Sequence, residues 1–286
     1  MKKLVLFFAV LPFLASAQNF HFSVRAGIAS YNGDLKRKSF NFSQSSFIGS
    51  IGAKYDFSEH ITGRAYFSLA SLRGDDKIKG NEFMLSRNLN FKTKLMELEL
   101  GAQYNFLNLN YSWWTPFVYA GIGVFHFNPY TKDAEGGKTF LHNLSTEGQG
   151  VVPGVKKYSL TQFSIPFGLG AERSLNEDMK VGFEIGYRKL FTDYLDDVSN
   201  AYADQATLFA AKGQKAVDLA YRGDEVGAGS YPAAGATRGN PGSKDGYFYA
   251  AITFTFRFWF DKYKQTSGLP AYRQDRRVGC PASRNR

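Results

Sequence analysis

The residues of this chain that could do chemistry are a run of carboxylates, a few histidines and a set of opposed charges. Asp193, Asp196, Asp197 and Asp204 lie close together. Calcium takes several carboxylate oxygens on a flexible loop, so such a run could in principle bind it. Aspartate also starts turns and caps helices, and this run falls where an extended pattern gives way to a helical one. Turn and cap chemistry is the favoured reading, and no metal site or cofactor is assigned. His21, His60, His126 and His142 are scattered, without metal-ligand spacing. His126 could serve a lipid-acting hydrolase, but nothing places a serine or aspartate beside it, so no catalytic residue is assigned. Gly121-Ile-Gly123 and Gly168-Leu-Gly170 are isolated pairs within extended segments, where glycine lets backbones approach, and not phosphate-binding loops.

The opposed charges form the largest set. Arg25, Lys54, Arg64, Arg188 and Arg257 share one face of alternating segments with Asp56, Glu97, Glu99 and Glu184. The segment that shows the alternation best is Phe248–Phe260. Phe248, Ala250, Ile252, Phe254, Phe256, Phe258 and Phe260 fall on one face, and Tyr249, Ala251, Thr253, Thr255, Arg257 and Trp259 on the other. Successive strand side chains point to opposite faces, so each segment has a greasy and a polar side. Eight strands are predicted, at about 20–31, 46–57, 61–73, 90–106, 116–128, 158–173, 179–191 and 248–260. Connections after the second, fourth and sixth are short. Those at roughly 32–45, 74–89, 129–157 and 192–246 are long. Short turns on one side and long loops on the other are the mark of an outer-membrane barrel, whose closure satisfies every backbone group in lipid. An eight-stranded barrel is filled by its own side chains, and buried charges must pair. The nine charged residues above are therefore expected to form an interior salt-bridge network with no open pore.

Both ends of the chain fit export. Met1-Lys-Lys, an apolar run from Leu4 to Leu14 and Ala15-Ser16-Ala17 read as a signal peptide over 1–17. The barrel is expected over 18–260 and a basic periplasmic tail over 261–286, with Lys262, Lys264, Arg273, Arg276, Arg277, Arg284 and Arg286. The formal net charge is +10. In an exported protein the acidic partner would be lipid phosphate, cell-wall polymer or another protein, and not nucleic acid. Cys280 is the sole cysteine, so no internal disulfide can form. Aromatic belts are expected at Tyr111, Trp113, Trp114, Phe117, Trp259 and Phe260 on the periplasmic side. Phe125, Phe127, Tyr130, Tyr187, Phe191 and Tyr194 are expected on the outer side. Pro166 interrupts a strand of a sheet without edges, which predicts a bulge or break. In the last loop, residues 199–221 carry helix-like spacing with Ser199 as N-cap, and 227–246 are rich in Gly, Ala and Pro and expected to be mobile.

Particular strings carry a resemblance. Ala120-Gly-Ile-Gly-Val-Phe-His-Phe-Asn-Pro129, Ser164-Ile-Pro-Phe-Gly-Leu-Gly-Ala171 and Phe191-Thr-Asp-Tyr-Leu-Asp-Asp-Val-Ser199, with Tyr202 and Asp204, resemble the PorG-like family of outer-membrane barrels. Asp218-Leu-Ala-Tyr-Arg222 and Cys280-Pro281 resemble it too. The resemblance spans about 20–281. It implies a component of type IX secretion machinery, associated with a periplasmic ring of PorK-like lipoprotein and PorN-like partner. The Gly/Ala-rich stretch after Tyr221 and the basic tail are departures from the family pattern.

The expected protein is an all-β, eight-stranded antiparallel transmembrane barrel with short periplasmic turns, long outer loops and a helix in the last outer loop. It is expected to sit in the bacterial outer membrane with both termini periplasmic. Its expected role is that of a non-enzymatic scaffold in contact with lipid and a secretion ring. Trp113, Trp114, Arg273, Arg276 and Arg277 are the candidate docking residues. The rival reading is a small transport or adhesion barrel acting through its outer loops.

Overall fold

The computed structural model describes residues 19–35, 44–78, 80–109, 111–176 and 178–257. The signal segment, Trp259, Phe260 and the tail with Arg273, Arg276, Arg277 and Cys280 lie outside the described residues. The strands are β1 (Phe20–Asn32), β2 (Ser46–Asp56), β3 (Ile61–Asp75), β4 (Asn90–Asn105) and β5 (Trp114–Lys132). A short β6 (Lys138–Phe140) follows, then β7 (Thr161–Ser174), β8 (Met179–Leu190) and β9 (Gly246–Arg257). All pairings are antiparallel. β1 pairs with both β2 and β9, and the additional β4–β5 pairing closes the sheet. The strip β6 pairs only with the end of β5 and stands outside the eight-stranded cylinder.

The alternation read from sequence sets which side faces in. On β4, Met96, Leu98 and Leu100 point outward, with Leu98 54% exposed, while Glu97 and Glu99 are 1% and 0% exposed. On β9, Ile252, Phe254 and Phe256 point outward against buried Ala251, Thr253 and Thr255. The outer surface of every barrel strand carries such large apolar side chains, among them Val24, Ile51, Phe67, Ile122, Phe167 and Phe183. In water this band would be a large uncovered hydrophobic surface. Strands of 11 to 19 residues reach or exceed the roughly 9–11 that a tilted strand needs to cross hydrocarbon. The oily face is therefore the lipid face.

Pro166 leaves a break without a bulge. The β5–β7 register runs Gly123 to Ser164 and resumes at Ala120 to Phe167, omitting the two intervening pairs. The offset is the same on both sides of the gap, so no residue is inserted. Pro166 still faces Arg188 in the continuous β7–β8 ladder. Small residues let the wall close tightly. Gly101 and Gly121 lie opposite one another, and a Cβ on Gly121 would strike the Leu100 carbonyl and the Gly101 Cα.

The connections at one end are short, at 57–60, 106–113 and 175–178. Those at the other end fold. The β3–β4 loop holds α1 (Glu82–Arg87), and the β8–β9 loop holds α2 (Gln205–Lys212) and α3 (Gln214–Ala220). The expected single helix over 199–221 is corrected by the structure. Asp204, not Ser199, caps α2 by accepting from the Thr207 N–H at 2.8 Å. Gly213, at φ 78, separates α2 from α3. The Ser199 hydroxyl instead donates to Asp193 at 2.7 Å. The segment expected to be mobile is tied down. Tyr202 N donates to Ala236 O at 2.9 Å, Ala201 bridges Thr237, and Arg238 is buried. One apolar core runs from Phe117, Tyr119 and Tyr249 inside the barrel through Tyr31, Phe91 and Phe127 to Leu195, Val198 and Leu219 in the loops.

Candidate functional site

Inside the cylinder, charges carried by β1, β3, β4 and β8 meet one another. Arg25 on β1 donates to Glu184 at 2.6 Å and to Glu99 at 3.3 Å. Arg64 on β3 reaches Glu184 at 3.2 Å, and its Nε lies 3.1 Å from Glu99 Oε1 as an ion pair not aligned as a hydrogen bond. Arg188 on β8 donates to Glu97 at 2.9 Å and to Glu99 at 2.7 Å. The three guanidiniums and three carboxylates are all buried. Opposite charges match one for one, which is what makes such burial tolerable. Tyrosines fill the space between them. Tyr249 donates to Glu184 at 2.5 Å and meets the Tyr119 hydroxyl at 2.6 Å. The Arg64 guanidinium lies 3.9 Å from the Tyr119 ring centroid, a cation–π contact. Lys54 pairs with Glu172, a carboxylate the sequence reading did not single out.

Two of the nine predicted residues stand apart. Asp56 is partly exposed at the short-turn end and pairs with His21 at 2.9 Å and Lys180 at 3.5 Å. Arg257 is not in the interior network. It is half-exposed at the same rim, with Asp178 at 4.0 Å its ion-pair partner among the described residues. The cause is position: Arg257 ends β9, beyond the depth at which the barrel excludes water. The missed Glu172 and tyrosines share the inward period of their strands. A search for charged residues alone passes over hydroxyls, and Glu172 sits beside outward residues near a strand end.

The aromatic belt is partly corrected. Trp113, Trp114 and Tyr111 are exposed at the short-turn end, where Arg173 lies 4.7 Å from the Trp113 ring. Tyr130, Tyr187 and Phe191 are likewise not buried. Phe117, Phe125 and Phe127 point inward and are buried, because the inward period of β5 falls on odd numbers. Tyr194 stacks on Tyr158 at 4.6 Å within the loops, away from the wall.

At the long-loop end the four loops are joined into a cap by buried charge. Arg87 grips Asp76 through two bonds of 2.8 Å and donates to the carbonyls of Asp34, at 3.1 Å, and Arg238. Arg238 donates to Glu147 at 2.9 Å, to Asp197 O at 2.6 Å and to Ala220 O at 3.1 Å. Glu147 also accepts from the Ser199 and Asn200 amides. Asp197, at φ 68, accepts from Thr146 at 2.5 Å and Tyr158 at 2.7 Å. Burial pushes Asp197 up to about 6 against the pull of Arg238. It likewise raises Asp34 to about 6, and lifts Tyr158 well above the usual phenol range. The Phe191–Ser199 string is thus the heart of the cap.

Among the described residues no group of three His, Cys, Asp or Glu side chains is placed to hold a metal ion. Of the four clustered aspartates, Asp193 serves Ser199, Asp197 binds two hydroxyls, Asp196 meets Tyr31, and Asp204 caps α2. His126 is exposed on the outer wall and contacts Thr161 at 3.0 Å. His60 and His142 bond to the Asn105 and Tyr158 carbonyls.

A closed cylinder with an oily exterior and a charge-matched interior defines a transmembrane β-barrel. The sequence matches the family model described as a domain of unknown function, DUF6089, over residues 2–212, and the chain belongs to that family. No curated protein matches it. Among solved structures it is similar to Neisserial surface protein A, at 11% identity, covering 84% of this chain and 97% of that one, with a TM-score of 0.42. It is also similar to the attachment invasion locus protein Ail of Yersinia pestis, at 9% identity, 84% and 99% coverage and a TM-score of 0.39. OprG of Pseudomonas aeruginosa gives 11% identity, 83% and 95% coverage and a TM-score of 0.39.

Proposed function

We propose that the protein is a non-enzymatic, integral barrel of the bacterial outer membrane that anchors a periplasmic type IX secretion ring. The observation that carries this reading is the filled interior. Arg25, Arg64 and Arg188, their three carboxylates, and Tyr66, Tyr119 and Tyr249 occupy the lumen. A plugged cylinder passes no solute, so its use lies at its ends. The resemblance of the Phe191–Ser199 string to the PorG-like family supplies the role. In this reading the short turns and both termini are periplasmic. Trp113, Trp114 and the tail arginines Arg273, Arg276 and Arg277 dock a PorK/PorN-like assembly. Affinity capture of the full-length protein from crosslinked membranes tests this. Recovery of ring lipoprotein and its partner, reduced when the three tail arginines are replaced by alanine, is the expected result. Capture of neither protein would remove the reading.

The cap favours a second reading, adhesion. The described parts of its four loops are knit together by Arg87 and Arg238, which is more structure than loose connections need. A cap that binds a surface ligand would lose that binding on loop exchange while the barrel stays folded.

A further inference from the structure

The cap contains an acid pair that scaffolding does not use. Tyr31, Asp196 and Asp245 are each buried to 2% exposure or less. The Tyr31 hydroxyl donates to Asp196 Oδ2, and Asp245 Oδ1 lies 3.1 Å from the same hydroxyl oxygen. A phenol has one hydrogen to donate. Once Asp196 has taken it, Asp245 faces the phenol oxygen lone pair against lone pair, unless Asp245 itself carries a proton. Neither carboxyl is free to turn away. Asp196 Oδ1 accepts from Val198 N at 2.9 Å, and Asp245 Oδ2 accepts from Leu195 N at 2.8 Å.

Among the described residues the surroundings supply no spare cation. Tyr31 comes from β1 and Asp34 from the β1–β2 loop. Arg87, which faces Asp196 from the β3–β4 loop, is matched by Asp76. Arg238 is matched by Glu147 of the β5–β7 loop. Asp193, of the β8–β9 loop, adds further negative charge and has Lys244 near it.

We propose that Asp196 and Asp245 share one proton across the Tyr31 hydroxyl, and that this proton locks the cap over the barrel, making the cap a pH-gated lid. Burial first, then the neighbouring carboxylates, hold both acids well above the ordinary range. The sign follows from linkage. In the opened cap each aspartate titrates near the ordinary value of about 3.9. The closed cap keeps its proton to higher pH. Closure is therefore firmest in acid, weakens as pH rises above about 4 towards the closed-state value, and stays weakened beyond it. The amides of Leu195 and Val198, held by these carboxyls, are the first to be released.

The test is hydrogen exchange of the full-length protein in detergent micelles between pH 5 and 8, corrected for the intrinsic pH dependence of exchange. Peptides spanning 192–199 should open about tenfold more per pH unit wherever one proton controls opening. Asp245→Asn copies the protonated acid: its amide oxygen accepts from Leu195 N and its NH2 donates to Tyr31. It should hold 192–199 protected at pH 8 and flatten the slope. Asp196→Asn should do the same with the phenol donating to Asp245 instead. Heat-modifiable gel migration certifies that each barrel is folded. A flat wild-type profile, or an unchanged slope in both variants, would overturn the lock. Neither result bears on the scaffold reading.

Discussion

Arg188→Met is the sharpest perturbation of the barrel interior. Arg188 is fully buried and serves two carboxylates, Glu97 at 2.9 Å and Glu99 at 2.7 Å. Its removal leaves three carboxylates facing two guanidiniums. Glu99 keeps Arg25 at 3.3 Å and Arg64 at 3.1 Å. Among the described residues Glu97 keeps neutral donors, Ser164 at 2.6 Å and Tyr247 at 3.1 Å. Breaking a buried pair from one side costs about 3–5 kcal/mol, because a charge is stranded out of water. The loss therefore falls on Glu97, and Arg188→Met with Glu97→Gln restores a two-against-two balance. Urea unfolding of the refolded protein in lipid vesicles, followed by tryptophan fluorescence, measures both. The single variant should lose about 3–5 kcal/mol, and the double variant should recover at least about half of that. A single-variant loss under about 1 kcal/mol, the range of solvated surface pairs, would refute the sealed network. So would a double variant no more stable than the single one.

Three further outcomes are expected. In planar bilayers the purified protein should show no stable conductance, because the lumen is filled; a steady open channel in single-channel recording would contradict this. Gly121→Ala should destabilise the barrel by about 1–3 kcal/mol in the same urea assay, because the new methyl meets the Leu100 carbonyl and the Gly101 backbone, which cannot rotate aside. Asp204→Ala should cost about 0.5–2 kcal/mol locally by uncapping α2. It should be seen as faster exchange at 205–212 with the urea midpoint unmoved.

The wall of this fold was legible because a barrel strand repeats one simple constraint. Met96, Leu98 and Leu100 against Glu97 and Glu99 state their facing by period alone, and closure then determines which side meets lipid. Boundaries near loops were less so. On β5 the inward period falls on odd numbers, so Phe117, Phe125 and Phe127, expected in the belts from their depth along the strand, face the interior instead. The helix over 199–221 failed as a single element because Gly213 adopts positive φ, and because Asp204 offers a carboxylate at capping distance where Ser199 is drawn to Asp193. Arg238 and Glu147 were invisible for a different reason. Each is an isolated charge in a loop of turn residues, and only the meeting of separate loops gives it a partner. Glu172 was missed as a single acid whose mate, Lys54, lies on a strand distant in sequence.

The most direct measurement is the solvent each outward side chain meets. In a Cys280→Ser background, single cysteines at Met96, Leu98, Leu100, Ile122 and Phe254 can be spin-labelled and the protein reconstituted in vesicles. Collision with dissolved oxygen should exceed collision with an aqueous nickel chelate at all five, most strongly at the positions nearest the middle of their strands. Nickel access equal to or above that of oxygen at these sites would mean that water, not hydrocarbon, surrounds the cylinder.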